Sequence, residues 1–97
     1  MRNKTKNQTA NKVITTEAGI IVPNWYKADT VAAYNERAEA VRALAEAQEN
    51  WMAQGRPQTE AHQNESDRLR AAVVAASEKA SALYKRDYSA RFLAASN

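Results

Sequence analysis

The sequence predicts an all-α fold, an antiparallel hairpin of two helices, the second one long, with an extended and partly β-like N-terminal arm. Three observations predict it. Between Asp29 and the C-terminus the only helix-stopping signal is Gln54-Gly55-Arg56-Pro57. Apolar residues recur at three-four spacing on both sides of that break. Ahead of Lys27 that periodicity gives way to two short β-branched runs. Gly55 suits the left-handed position that closes a helix, and Pro57, with no N–H and a fixed φ, suits a turn or the first position of the next helix. The chain therefore divides into an arm, residues 1–27, and a helical hairpin, residues 28–97.

Met1 to Lys12 is polar, rich in Asn, Thr and Lys and without periodicity, so it reads as disordered on its own. Val13-Ile14-Thr15-Thr16 and Ile20-Ile21-Val22 are the β-favouring runs, and Glu17-Ala18-Gly19 between them fits a three-residue turn with Gly in the left-handed position. Two arrangements compete: a small hairpin, or an extended stretch that adds a strand to the sheet edge of a partner. An isolated two-stranded hairpin is marginal in water, so either the helices or a partner must support it. Pro23 then keeps Val22 extended and sets Trp25 and Tyr26 just ahead of the first helix, as a lid on its open end or as interface anchors.

The first helix is expected over about 29–54, capped by Asp29 or Thr30, with Val31, Tyr34, Ala38, Val41, Leu44, Ala45, Trp51 and Met52 inward and Gln48 interrupting the stripe. Glu36, Glu39, Arg42, Glu46 and Glu49 mark its solvated face. After a turn at 55–58 the second helix is expected over about 59–95, with Thr59 or Asn64 as cap. Its inward stripe is Leu69, Ala72, Val73, Ala76, Ala80, Leu83 and Tyr84, in which Ala72, Ala76 and Ala80 permit close approach of the two backbones. At about 1.5 Å per residue the helices span about 39 and 50–55 Å. Folding about the corner pairs residues whose numbers sum to about 113, which sets Leu44 against Leu69, Ala38 against Ala76 and Trp25 near Tyr88. Past Leu83 the second helix overhangs the first, carrying Tyr84, Tyr88 and Phe92 in line, with Lys85, Arg86 and Arg91 beside them.

Composition bounds the function. Of the apolar residues 21 are Ala, while Val, Ile, Leu and Phe together number 14, so the core is thin. Small domains this short of core rely on metals, disulfides or association. There is no Cys, and no metal, cofactor-binding or catalytic site is expected: His62 is the one imidazole, read as exposed near the turn, and two glycines make no phosphate-cradling loop. A two-helix hairpin has little interior in which to tune a catalytic group. No secretory or membrane-spanning segment is visible, which places the chain in the cytoplasm or within a virus particle. The arm carries a net charge of +4 and the remainder −1, an asymmetry that points to acidic surfaces or nucleic acid.

These readings converge on a non-enzymatic accessory component of a larger protein assembly, with virus particles as one analogy, partnered by larger subunits or by its own copies. The candidate partner-binding residues are Val13, Ile14, Ile20, Ile21, Val22, Trp25, Tyr26, Tyr84, Tyr88 and Phe92. Arg2, Lys4, Lys6 and Lys12 are candidate contacts to phosphate or an acidic surface. A small regulatory or inhibitory protein with one target is the alternative, and nonspecific nucleic-acid binding through the arm is the second, disfavoured by the acidic opening of the second helix at Glu60, Glu65 and Asp67.

Overall fold

The computed structural model describes residues 12–96, with side chains through Ala94. Arg2, Lys4 and Lys6, and the expectation of disorder before Lys12, lie outside the described residues. Two short strands, β1 (Val13–Thr15) and β2 (Ile21–Pro23), precede two helices, α1 (Ala28–Ala53) and α2 (Glu60–Ser96). The fold is a helical hairpin with a β-like arm. It measures 57 × 31 × 15 Å.

The arm closes on itself as a hairpin. β1 and β2 run antiparallel with Ile14 opposite Val22 and Thr15 opposite Ile21. Thr16 and Ile20 bracket the turn, the Thr16 N–H donating to the Ile20 carbonyl at 2.8 Å. Gly19 takes φ +83°, the left-handed position expected of it. The hairpin does not stand alone: the Ala18 N–H donates to Asn35 Oδ1 at 3.3 Å, and Arg42 donates to the Ala18 carbonyl at 3.3 Å. Its turn thus rests on α1, with Arg42, exposed as expected, reaching across to it.

The corner is a Schellman closure. The Arg56 N–H reaches the Trp51 carbonyl at 3.0 Å and the Gly55 N–H reaches Met52 at 3.1 Å, with Gly55 at φ +88°. Arg56 also enters the left-handed region, at φ 57°. Trp51 Nε1 donates to the Pro57 carbonyl at 2.8 Å, pinning the linker to the end of α1. Thr59, rather than Asn64, caps α2, its Oγ1 accepting the His62 N–H at 3.1 Å.

Side-chain pairs across the hairpin follow the expected register. Trp51 stacks on His62 with ring centroids 4.5 Å apart, Arg37 donates to Ser77 Oγ at 3.0 Å, and Lys79 pairs with Glu36 at 3.4 Å. The residue sums drift from 113 at the corner to 117 where Thr30 meets Asp87. Overhang therefore begins after Asp87 and not after Leu83. His62 is half-buried against the Trp51 ring and not exposed as expected.

Two inward stripes are corrected. On α1, Val41, Ala45 and Met52 are exposed, and the seam runs through Thr30, Ala33, Leu44, Gln48 and Trp51. On α2 a covered row at four-three spacing runs through His62, Ser66, Leu69, Val73, Ala76, Ala80, Leu83 and Asp87, with Ser77 and Tyr84 half-covered beside it, while Ala72 is exposed. Strict four-three alternation along α2 is the repeat of a close antiparallel helix pair. Small residues won the seam because the helices approach closely at Ala33 and Ala80, 1% and 0% exposed. Val31, Tyr34 and Ala38 are half-covered on a neighbouring face, beside the Asn35 and Arg42 contacts to the arm.

Candidate functional site

At the open end of the hairpin the arm, the start of α1 and the overhang of α2 meet. Neither Asp29 nor Thr30 caps α1; the N-cap is Lys27, whose side chain makes no cap hydrogen bond. The cap comes from the other helix. Asp87 Oδ2 accepts the Lys27 N–H at 2.8 Å and the Thr30 hydroxyl at 2.6 Å. Its second oxygen accepts Arg86 Nε at 2.9 Å. A carboxylate at the positive end of a helix is favourable, and this one is 2% exposed, so solvent screens it little. Arg86 turns its two terminal nitrogens onto Asp29, at 2.7 and 2.9 Å, a bidentate pair on the rim of the same cluster.

Burial alone pushes the Asp87 carboxyl up, but the bonds from Thr30, the Lys27 N–H and Arg86 outweigh it and hold the group below the usual carboxylate range. Hydrogen bonding from Arg86 brings Asp29 down to about 2. The two carboxylates in turn hold the Arg86 guanidinium above its ordinary value. The cluster is a closed set of donors and acceptors that ties residue 27 to residue 87.

Above it lies an aromatic layer. Trp25 sits 6.2 Å from Tyr84 and 6.3 Å from Tyr88 between ring centroids, as the register expects, and 5.0 Å edge-on from Tyr26. Tyr26 bridges to Tyr34 at 5.5 Å and Tyr84 at 6.0 Å. The Arg91 guanidinium lies 5.2 Å over the Trp25 ring. Burial, then the neighbouring Tyr34, pushes the Tyr26 phenol up to about 12. A groove of about 540 Å³ opens beside this layer, lined by Trp25, Lys27, Asp87, Ala90, Arg91 and Ala94.

The structure brings together Trp25, Tyr26, Tyr84 and Tyr88 from among the candidate contacts; Tyr88 is half exposed and Phe92, further along α2, is 61% exposed. Val22 is buried and Ile20 half-buried; Ile14, opposite Val22 and so on the same face of the arm, is 40% exposed, whereas Val13 and Ile21 lie on the other face, Ile21 at 67% exposure. Lys12 is exposed, its carbonyl accepting the Asn24 N–H at 3.0 Å. The sequence reading missed Asp87 and the cluster it organises. A signal existed: Asp87 is the one charged residue that falls on the four-three seam of α2.

A second groove, of about 580 Å³, lies between the helices near the corner, lined by residues that include Glu46, Asn50, Trp51, His62, Glu65 and Arg68. Among the described residues no three metal-binding side chains come together. No described helix is long and apolar enough to cross a membrane. Comparison with protein-family models, with curated proteins and with solved structures gives no match.

Proposed function

We propose that this chain is a non-enzymatic structural and interaction protein, an accessory component of a larger protein assembly, of which a virus particle is one kind. It docks through the outer surface of its arm and the aromatic end of α2. One observation carries the reading: among the described residues only three hydrophobic side chains are buried, Val22, Ala33 and Ala80, while nine large ones are exposed, from Val13 and Ile21 in the arm to Phe92 and Leu93 on α2. Folding alone leaves these nine side chains largely in water, and a partner that covers them contributes roughly 25 cal/mol for each Å² removed. The arm is suited to the task. Its sheet has two strands among the described residues, so each strand keeps an outer edge able to pair with another chain. Two cations near the aromatic stripe are already engaged, Arg86 with Asp29 and Asp87 and Arg91 with Trp25, which leaves less for a nucleic-acid backbone.

Velocity sedimentation of an extract from cells that produce the chain tests this reading. The full chain is expected to travel in a particle much heavier than its own 10.8 kDa. A chain lacking residues 1–27 is expected to leave that particle while keeping its helical circular dichroism. Sedimentation of the full chain as a small species overturns the proposal.

A further inference from the structure

Midway along α2, turned out of the seam, Arg70, Val74 and Glu78 stand at spacing four on one line, a cation, an apolar residue and an anion in order. Val74 is 55% exposed, the most exposed large aliphatic residue between the corner and Tyr88. Ala71 and Ser81 lie on the same side of the helix, small and also exposed, and leave room for close approach. Arg70 and Glu78 form no ion pair among the described residues, although α2 pairs Arg68, Lys79 and Arg86 with acids. Surface charges left unpaired on either side of an exposed valine make a row that is its own complement.

We infer that α2 docks on α2 of a second copy, antiparallel and two-fold symmetric about Val74. In such a pair, residues whose numbers sum to 148 face each other, so Arg70 of each copy meets Glu78 of the other and the two valines pack at the axis. A two-fold contact is isologous, and a row reading plus, apolar, minus satisfies it twice over. The overlap runs from Glu60 to Tyr88, about 43 Å of helix. Further out it brings the acidic opening of α2, Glu60 and Asp67, to within about one helical turn of the partner's Lys85. The parallel alternative stacks Arg70 on Arg70 and Glu78 on Glu78, and like charges suppress it. Among the described residues the arm's turn rests on α1 through Asn35 and Arg42, and its Trp25 and Tyr26 meet the α2 rings at Tyr84 and Tyr88, beyond the central row of Arg70, Val74 and Glu78. This inference rests on the reading above, that a partner covers the exposed apolar surface, and names the first such partner as a second copy.

Sedimentation equilibrium of the purified full-length chain over a concentration series tests it separately from the extract experiment. A monomer–dimer equilibrium is expected. Val74→Glu, at a position exposed in the monomer, is expected to weaken it by about 100-fold or more while helicity at low concentration stays unchanged. Arg70→Glu and Glu78→Arg are each expected to weaken it, and the double reversal to restore it. Because the chain has no cysteine, Val74→Cys is expected to give a single oxidised dimer, and Glu39→Cys on the far side of α1 none. A monomer at every concentration overturns the inference, as does a dimer indifferent to Val74→Glu or a double reversal no tighter than the singles. A monomer whose Val74→Glu variant drops out of the extract particle also overturns it, and assigns the row to a different protein.

Discussion

Asp87 does for α1 what a local cap does elsewhere, but from the opposite helix and at a sequence distance of 60 residues. Removing it leaves the Thr30 hydroxyl and the Lys27 N–H without their acceptor and Arg86 with one carboxylate fewer. Asp87→Ala is therefore expected to cost on the order of 3 kcal/mol, read as a fall in the urea midpoint at fixed protein concentration. The same cluster sets an acid limb. Asp29 and Asp87 both titrate lower in the folded chain than unfolded, so as pH falls below the ordinary value of 3.8 the unfolded chain takes up protons first. Their stabilisation is present above that value and is lost as pH falls through the lowered folded values, about 2 for Asp29; Asp87→Asn should flatten the limb, and an unchanged slope would contradict the cluster's role. None of this is written locally in the sequence. Asp29 and Thr30 look like caps because their residue types and position fit a cap, and only the return of α2 shows that the acceptor is Asp87. His62 misleads for a similar reason: nothing within α2 announces that Trp51 lies flat against it.

The elements themselves were largely legible, because local chemistry decides them. Gly19 and Gly55 mark the two turns, Thr59 starts α2, and the register measured from the corner sets Trp25 beside Tyr88. Less legible was which face of each helix turns inward, since a seam of Thr30, Ala33 and Ala80 is chosen by backbone approach, not by side-chain size, and so carries no strong hydrophobic period. Arg56 shows the limit of turn reading. A non-glycine residue at φ 57° is strained, and its side chain contributes only a 3.6 Å contact to Met52 Sδ. Arg56→Gly is expected to raise stability by about 0.5 kcal/mol, the relief of strain partly offset by a freer unfolded chain. Gly55→Ala is expected to lower it by about 1 kcal/mol, all of it backbone cost, since no atom lies within 4 Å of where the added carbon would stand. Thermal unfolding of the two variants beside the parent checks both signs.

As a whole the molecule is a slab about 15 Å thick in its thinnest direction, where most domains pack two layers around one core. That shape explains why a chain with so many alanines folds as a hairpin at all and why so much of its apolar surface faces outward. The clasp at the open end has a further effect, on the order of events in time. Contacts near the corner, such as Trp51 with His62, close short loops, while Lys27 and Thr30 reach Asp87 only after 57 to 60 residues have been brought round. Short-loop contacts form early and long ones late, because closure entropy must be met before the contact rewards it. The hairpin should zip from Gly55 outward and the clasp shut last. Stopped-flow chevrons at a dilution where the chain is monomeric should then show Asp87→Ala speeding unfolding with refolding unchanged, and Gly55→Ala slowing refolding. Refolding slowed by Asp87→Ala would place the open end in the nucleus instead. On the expected order, the clasp of Lys27 and Thr30 on Asp87 is the last contact to settle and the first to let go, so the protein can part its two helices at the open end without unravelling either.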